Sequence, residues 1–360
     1  MKRLKAEFFA RGTLMGASFA LMAAVSPNRA EDDGGVGAAE VEEVTKVGEA
    51  EKEGDAEAVA EKEGRGDDVG GEVRFVSWNL RNFVQVGGPL PADGMRGKPR
   101  EEVSAVVEVL AAMRPDVLGV CEVGSEEDLE RLQEMLAEEG VELPHREWVG
   151  GADTTRHLAL LSRYPVVSRA SQTGMFYQLD GARFPVQRGM LDVTVAVRPG
   201  WQLRCCGVHL KSRRDTPEAD EGLMRRNEAH LVRKAVDAIL RETPEVNLLV
   251  YGDFNDTRDA PALRAIRGFR QGGGYLTEIP CADDRGERWT YHYPEDDAYT
   301  RIDFLLASAG LVPEVVERAC AVEAHPAWRL ASDHRPLLAV IRGEERVKGR
   351  GKRGDGDGGR

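Results

Sequence analysis

Between residues 73 and 342 the chain alternates short apolar runs with amphipathic stretches, and each kind predicts its own element. VRFVSWN (73–79) is rich in β-branched and aromatic residues and predicts a strand. Over 100–113 the apolar residues Val103, Val106, Val107, Leu110 and Met113 recur every three or four positions, which predicts a helix. DVLGVCE (116–122) has the character of a buried strand, and Leu129, Leu132, Met135 and Leu136 mark a second helix. Further strands are expected at 157–162, 188–197, 202–209, 247–255, 289–293, 301–307 and 335–341. A long helix is expected over 218–241, with Leu223, His230, Leu231, Ala235, Ala238 and Ile239 turned inward, and a short one near 260–267. Strands and helices alternate early and strands dominate the middle. That order fits mixed α/β with more than one helix layer.

The two ends have a different pattern. Lys2, Arg3, Lys5 and Arg11 precede a low-charge stretch, 12–25, and then Ser26, Pro27, Asn28, Arg29 and Ala30. A basic head, a short apolar middle and small residues after it have the layout of a secretory signal over 1–30. Export to the periplasm or beyond the cell is therefore expected. The apolar stretch is too short to span a bilayer comfortably, so no membrane span is expected in the mature chain. An amphipathic helix or an uncleaved anchor is the competing reading. Residues 31–72 hold 16 acidic against 4 basic residues and almost no large apolar side chains. Such a segment cannot offset its own ordering entropy and is expected to be a solvated linker. The Gly, Lys, Arg and Asp of 343–360 predict a disordered tail.

Charge changes the picture only modestly. The whole chain is −13, yet most of that excess lies in the linker. The domain, 73–342, is mildly acidic and has no strongly basic surface of the kind that grips duplex backbones. Five cysteines show no zinc-ligand spacing. Cys205 and Cys206 are adjacent in a predicted strand and should face opposite ways. In an exported protein Cys281 and Cys320 could pair.

Six apolar segments end in polar clusters: SWNLRNF (77–83), CEVGS (121–125), GVHLKS (207–212), YGDFND (251–256), RIDFLLAS (301–308) and SDHRPL (332–337). Strand ends are where sites form. The clustered residues are Asn79, Glu122, His209, Asp253, Asn255, Asp303, Asp333 and His334. Carboxylates and carboxamides without cysteine suit a hard divalent cation, and histidines add proton transfer near neutral pH. No G-x-S-x-G elbow and no G-x-x-x-x-G-K phosphate loop occurs. The set therefore suits a metal-polarised phosphate attacked by water. Each piece alone is common. An Asp–His step is usually a surface pair, G-D-F-N is often an Asx turn, and Glu122 could simply cap the helix that follows.

Taken together and in order, W-N-L, the acid after a buried strand, V-H-L-K-S, G-D-F-N, I-D-F and S-D-H-R-P resemble the endonuclease/exonuclease/phosphatase family, over residues 73–342. The resemblance implies a four-layer α/β sandwich, two packed mixed sheets flanked by helices, as in deoxyribonuclease I. It implies Asn79, Glu122 and Asp333 at a metal site for Mg2+, with Mn2+ or Ca2+ as alternatives. It implies Asp253 and Asn255 holding the attacking water, His334 beside the phosphate with Asp303 orienting it, and His209 as a second phosphate-facing histidine. Arg188 matches a phosphate-contacting arginine more loosely. Relatives of the deoxyribonuclease branch give the second histidine an acid just before the strand that here is HLALLSR. This chain has Arg156 at that place, with Asp153 close but out of register. His209 is thus expected to donate a hydrogen bond rather than act as an acid.

The expected activity is phosphodiester hydrolysis by a monomer, with DNA or RNA the first candidate substrate. The alternatives are a phosphomonoesterase, a lipid-headgroup phosphodiesterase, and a non-catalytic binding protein on the same fold. Trp289, Tyr291, Tyr293 and Tyr299 could stack on bases or sugars; equally, Trp289 and Tyr291 could be alternate residues of one core-packing strand. Lys211, Arg213 and Arg214 could hold flanking phosphates or form a solvated loop.

Overall fold

The computed structural model describes residues 71–84, 97–272 and 274–345. The signal expected at 1–30, all but the last two residues of the linker, and the tail beyond 345 lie outside the described residues. The elements begin with β1 (Glu72–Phe83), α1 (Arg100–Met113), β2 (Val117–Val123), α2 (Glu126–Glu138), β3 (His145–Val149), β4 (His157–Ser162) and β5 (Val166–Arg169). A hairpin of β6 (Phe176–Leu179) and β7 (Ala182–Pro185) leads to β8 (Leu191–Arg198), β9 (Trp201–His209), α3 (Glu221–Glu242), β10 (Leu248–Asp253) and α4 (Pro261–Arg267). The chain ends with β11 (Thr277–Glu278), β12 (Tyr291–Tyr293), β13 (Ala298–Thr300), β14 (Asp303–Ala307), β15 (Ala321–Val322), α5 (Trp328–Ala331) and β16 (Leu337–Arg342).

Two six-stranded mixed sheets form, in the orders β15-β16-β1-β2-β4-β3 and β11-β14-β10-β9-β8-β5. Strand alternation builds four layers from them. In β1, Phe75 faces the other sheet, while Val76, Trp78 and Leu80 face α1, α2 and α5. In β9, Cys205 lies between the sheets and its neighbour Cys206 lies under α3 and α4. At the centre the Tyr251 ring meets Phe75 edge-on, centroids 4.8 Å apart. A Cβ on Gly119 would fall 2.1 Å from that ring, so glycine is what lets the sheets close there.

Parallel pairing of β1 with β2 and of β9 with β10 is decisive for the site. It brings the C-terminal ends of four strands to one edge of the sandwich. Antiparallel β14 joins them with Asp303 opposite Asp253, while His209 stands opposite Asp253 on the other side.

Several expectations need correction. The inward face of α3 consists of Met224, Arg225, Glu228, Ala229, Val232, Val236 and Ile239, whereas Leu223 and His230 are exposed. The face is turned because two charged residues are buried to anchor the 210–214 loop. Arg225 Nη1 donates to the Lys211 and Ser212 carbonyls, and Glu228 Oε2 accepts from the Lys211 amide at 2.6 Å. Cys281 and Cys320 are not paired: all five cysteines are buried free thiols. Their Sγ atoms turn instead to backbone carbonyls, of Ile279 and Val316 respectively. The strand expected from 289 begins only at Tyr291. Trp289 packs edge-on against Trp328 and Tyr299. Among the described residues no helix is long and apolar enough to cross a membrane.

Candidate active site

The residues singled out at the strand ends converge, all but Arg188 directly. Asn79, in β1 just before its pairing with β2 becomes irregular, links the two sheets. Its Nδ2 donates to Glu122 Oε1 (3.3 Å) on its own sheet and to Asp253 Oδ2 (3.1 Å) on the other, while its Oδ1 accepts from the Arg81 amide. Glu122 is held at φ 62 and accepts from the Asn82 amide at 3.0 Å. Arg81, Asn82 and Asn255 also have positive φ. Such strain in four non-glycine residues around one cluster is characteristic of a functional site.

His334 sits in the turn before β16, 5% exposed. Its Nδ1 is 2.9 Å from Asp303 Oδ2, and its Nε2 is 3.8 Å from Asp253 Oδ2 and 4.0 Å from Asp333 Oδ1. Burial would lower the pKa of the ring, but the Asp303 charge and hydrogen bond, with Asp253 and Asp333 behind, reverse that and push it up to about 10. The imidazolium is therefore the neutral-pH form. Asp253 is fully enclosed. Burial first and the Asp303 charge second raise it well above the usual carboxylate range. Asn255 holds it in place, the amide donating to Oδ1 at 2.8 Å and Nδ2 to Oδ2 at 3.3 Å.

His209 is the opposite case. Its Nε2 is 3.6 Å from Asp253 Oδ2 and 3.8 Å from Glu122 Oε1, and its Nδ1 is buried without a hydrogen-bond partner among the described residues. Burial, then the charges of Arg188, His334 and Arg156, lower its pKa well below that of a free histidine. The ring is neutral. The loop before β4 gives it no carboxylate: Asp153 pairs with Arg188 (3.1 Å), and Arg156 turns to Asn82 Oδ1 (2.7 Å). Arg188 acts on the site through its charge, with its guanidinium tied to Asp153.

Four supports escaped the sequence reading. Ser332 Oγ donates to the Asn79 carbonyl (2.8 Å) and accepts from the His334 amide (3.1 Å). Trp78 Nε1 donates to the His334 carbonyl. Thr290 Oγ1 accepts from the amides of Ile302 and Asp303, fixing the start of β14. The Asn82 amide holds Glu122. Trp78 and Ser332 belong to the W-N-L and S-D-H-R-P motifs but were given no role there, so motif membership was an available signal. Thr290 had none, because its partners are 12 and 13 residues away.

A two-sheet, four-layer frame with a carboxylate and histidine cluster at its edge defines a deoxyribonuclease-I-like phosphoesterase architecture. The family model described as "Endonuclease/Exonuclease/phosphatase family" matches residues 76–334, and the chain belongs to that family. It is a phosphoester-hydrolysing enzyme. Solved structures share the fold. Truncated TDP2 from Caenorhabditis elegans superposes with TM-score 0.52 at 17% identity, covering 77% of this chain and 100% of that one. The human Nocturnin catalytic domain with bound sulfate gives 0.54 at 18%, covering 76% and 95%. Beta toxin from Staphylococcus aureus gives 0.55 at 14%, covering 74% and 99%. Comparison with curated proteins gives no match.

Enzymes of this family are metal-dependent, and the donors here fit a hard cation: Glu122, Asp253, Asp303 and Asp333 crowd one edge. Ligand atoms of Asp253, Asp303 and His334 all lie within 4.8 Å of one another.

Proposed function

We propose that this protein is an exported, magnesium-dependent phosphodiesterase acting as a nuclease. One observation carries the reading: the buried Asp303–His334 pair stands 3.8 Å from Asp253, which is joined through Asn79 to Glu122 on the opposite sheet. In this reading His334 is the charged imidazole, Asp253 the base and Glu122 the metal-type acid.

Of the two carboxylate sets, Glu122 and Asp333 suit the ion better. Asp303 and His334 already satisfy one another at 2.9 Å, and an ion among them would break that bond. Glu122 and Asp333 keep side chains 17% and 30% exposed. Asn79, with its Nδ2 toward Glu122 and Asp253, acts as a donor that orients them; ligation by its Oδ1 requires the amide to turn by half a revolution. When bound, magnesium supplies Lewis-acid stabilisation of a phosphoryl oxygen.

The chain's own groups do the rest. Asp253, raised toward neutrality and oriented by Asn255, accepts the proton of the attacking water. His334, kept cationic by Asp303, stabilises charge developing on the phosphoryl oxygens. Neutral His209 carries its hydrogen on Nε2, which faces the carboxylates, and serves as a donor without changing charge. The N-terminal basic and apolar pattern supports export; mass spectrometry showing an unprocessed N-terminus on the cell-derived protein would remove that part.

The test is hydrolysis of bis(p-nitrophenyl) phosphate and nicking of plasmid DNA, with magnesium and with EDTA. We expect turnover that EDTA abolishes and that Asp253→Ala lowers by about 10²- to 10⁴-fold with unchanged circular dichroism. Wild-type turnover in Asp253→Ala would overturn the assignment.

A further inference from the structure

Beside the catalytic cluster, and sharing Asp333 with it, lies a groove of about 440 Å³. One wall is the β12–β13 hairpin, whose alternation sorts its aromatic residues. His292 and its cross-strand partner Tyr299 stack on each other on one face, centroids 4.4 Å apart at 18°, and His292 Nε2 reaches Asp297 at 3.5 Å. Tyr291 and Tyr293 occupy the other face, and both line the groove, to which His292 also contributes. Tyr291 rests against the His334 ring at 4.8 Å and pairs with the His334 backbone. Tyr293 follows, its ring stacked 6.5 Å from that of Tyr291 and 41% exposed. The aromatic wall thus starts at the catalytic histidine and leads outward to solvent.

Three cations line the same groove, Arg81, Arg214 and Arg329, against two carboxylates, Glu295 and Asp333. Neighbouring arginines are committed elsewhere. Arg188 is held by Asp153, while Arg213 and Arg225 are held by Asp256. Of the basic loop that follows His209, Lys211 spends its ammonium on the Ser212 and Arg214 carbonyls, and Arg214 is the member that reaches the groove. Arg329 lies over Trp328 at 5.2 Å.

A volume of this size suits a small organic ligand. Ring faces beside guanidinium groups suit an aromatic base attached to phosphates. A quaternary-ammonium lipid headgroup is suited less well, because the three arginines outnumber the two carboxylates. Stacking on a tyrosine needs a base whose own face is free, and in a duplex both faces are covered by neighbouring bases. The net acidic charge of the domain also gives little electrostatic support for gripping a second strand.

We propose that this groove binds the unpaired nucleoside next to the scissile phosphate, so that the enzyme cuts single-stranded or frayed nucleic acid in preference to duplex. The inference rests on the phosphodiesterase reading above.

The full mature chain with magnesium is assayed on a single-stranded oligonucleotide, on the same sequence as a blunt duplex, and on bis(p-nitrophenyl) phosphate. Single-strand kcat/KM should exceed the duplex value by about tenfold or more. Tyr293→Ala, at an exposed position that leaves the core intact, should raise KM for the single strand roughly 5- to 150-fold, the effect of losing one base–aromatic stack. Tyr293→Trp should restore it. Arg214→Gln should reduce the slope of log(kcat/KM) against log salt by about 0.7, the loss of one phosphate contact. Equal rates on both strand forms, or an unchanged KM in Tyr293→Ala, would overturn the groove assignment while the small-diester activity keeps the broader reading. Absence of any diester hydrolysis by the wild type would overturn both.

Discussion

The two flanks of the active site place the same ring in opposite surroundings. On one, His334 enters from the turn before β16 and meets Asp303 at 2.9 Å. On the other, His209 ends β9 with a buried Nδ1 that has no hydrogen-bond partner among the described residues and with Arg188 and Arg156 contributing charge nearby. Both rings are at most 5% exposed, so burial penalises the cation in each. A carboxylate partner overcomes that penalty for His334, and cationic neighbours deepen it for His209. The difference teaches that a histidine's role is set by what lies at its second nitrogen, not by its position at a strand end.

The largest test of this contrast removes the charged flank. His334→Ala should lower kcat about 10²- to 10³-fold, the usual loss for one transition-state donor. Asp303→Asn should lower the His334 pKa from its raised position, moving the alkaline limb of the pH–rate profile toward acid. An unmoved limb would show that Asp303 does not set the protonation of the ring. A smaller effect is expected on the other flank. His209→Gln keeps a donor and loses no charge, so kcat should fall on the order of fivefold with an unshifted pH profile. A loss as large as that of His334→Ala would erase the distinction between the flanks.

The smallest effect concerns the support behind His209. Glu228 on α3 accepts the Lys211 amide, two residues beyond the histidine. Burial raises its pKa from 4.5 to about 7, with the Lys211 amide and Arg188 only partly opposing. The folded state therefore binds a proton that the unfolded chain has released. Stability contributed by this proton is complete below about pH 4.5 and is lost as pH rises to about 7, a fall of up to about 3 kcal/mol. Glu228→Gln should flatten that decline, read as urea midpoints at pH 5 and 7.5, while activity changes little. A mutant that keeps the wild-type decline would place the proton elsewhere.

The strand-end motifs were legible because the chemistry needs specific residue types at the ends of apolar runs, and both signals are local. Helix α1 was legible for the same reason: its period of three and four alone predicts Arg100–Met113. The inward face of α3 was not. Periodicity assumes that apolar residues face in, and here Arg225 and Glu228 are buried to satisfy a loop that packs on the helix from elsewhere in the chain. The aromatic segment 289–299 divided in a way the sequence left open. Trp289 went to packing against Trp328, Tyr299 stayed exposed with its ring stacked on His292, and Tyr291 and Tyr293 went to the groove.

The sequence by itself determined the mixed order of strands and helices and the polar groups at the strand ends, because periodicity and motif residues are properties of neighbours along the chain; the two-sheet frame followed only through the family resemblance those motifs carry. Only the tertiary structure decided that Asn79 bridges Glu122 to Asp253 across the sheets, that Asp153 goes to Arg188 and leaves His209 neutral, and that Tyr291 leads from His334 into an arginine-lined groove. Those pairings join residues tens to hundreds of positions apart, and their energies depend on distance and burial, which no local pattern encodes.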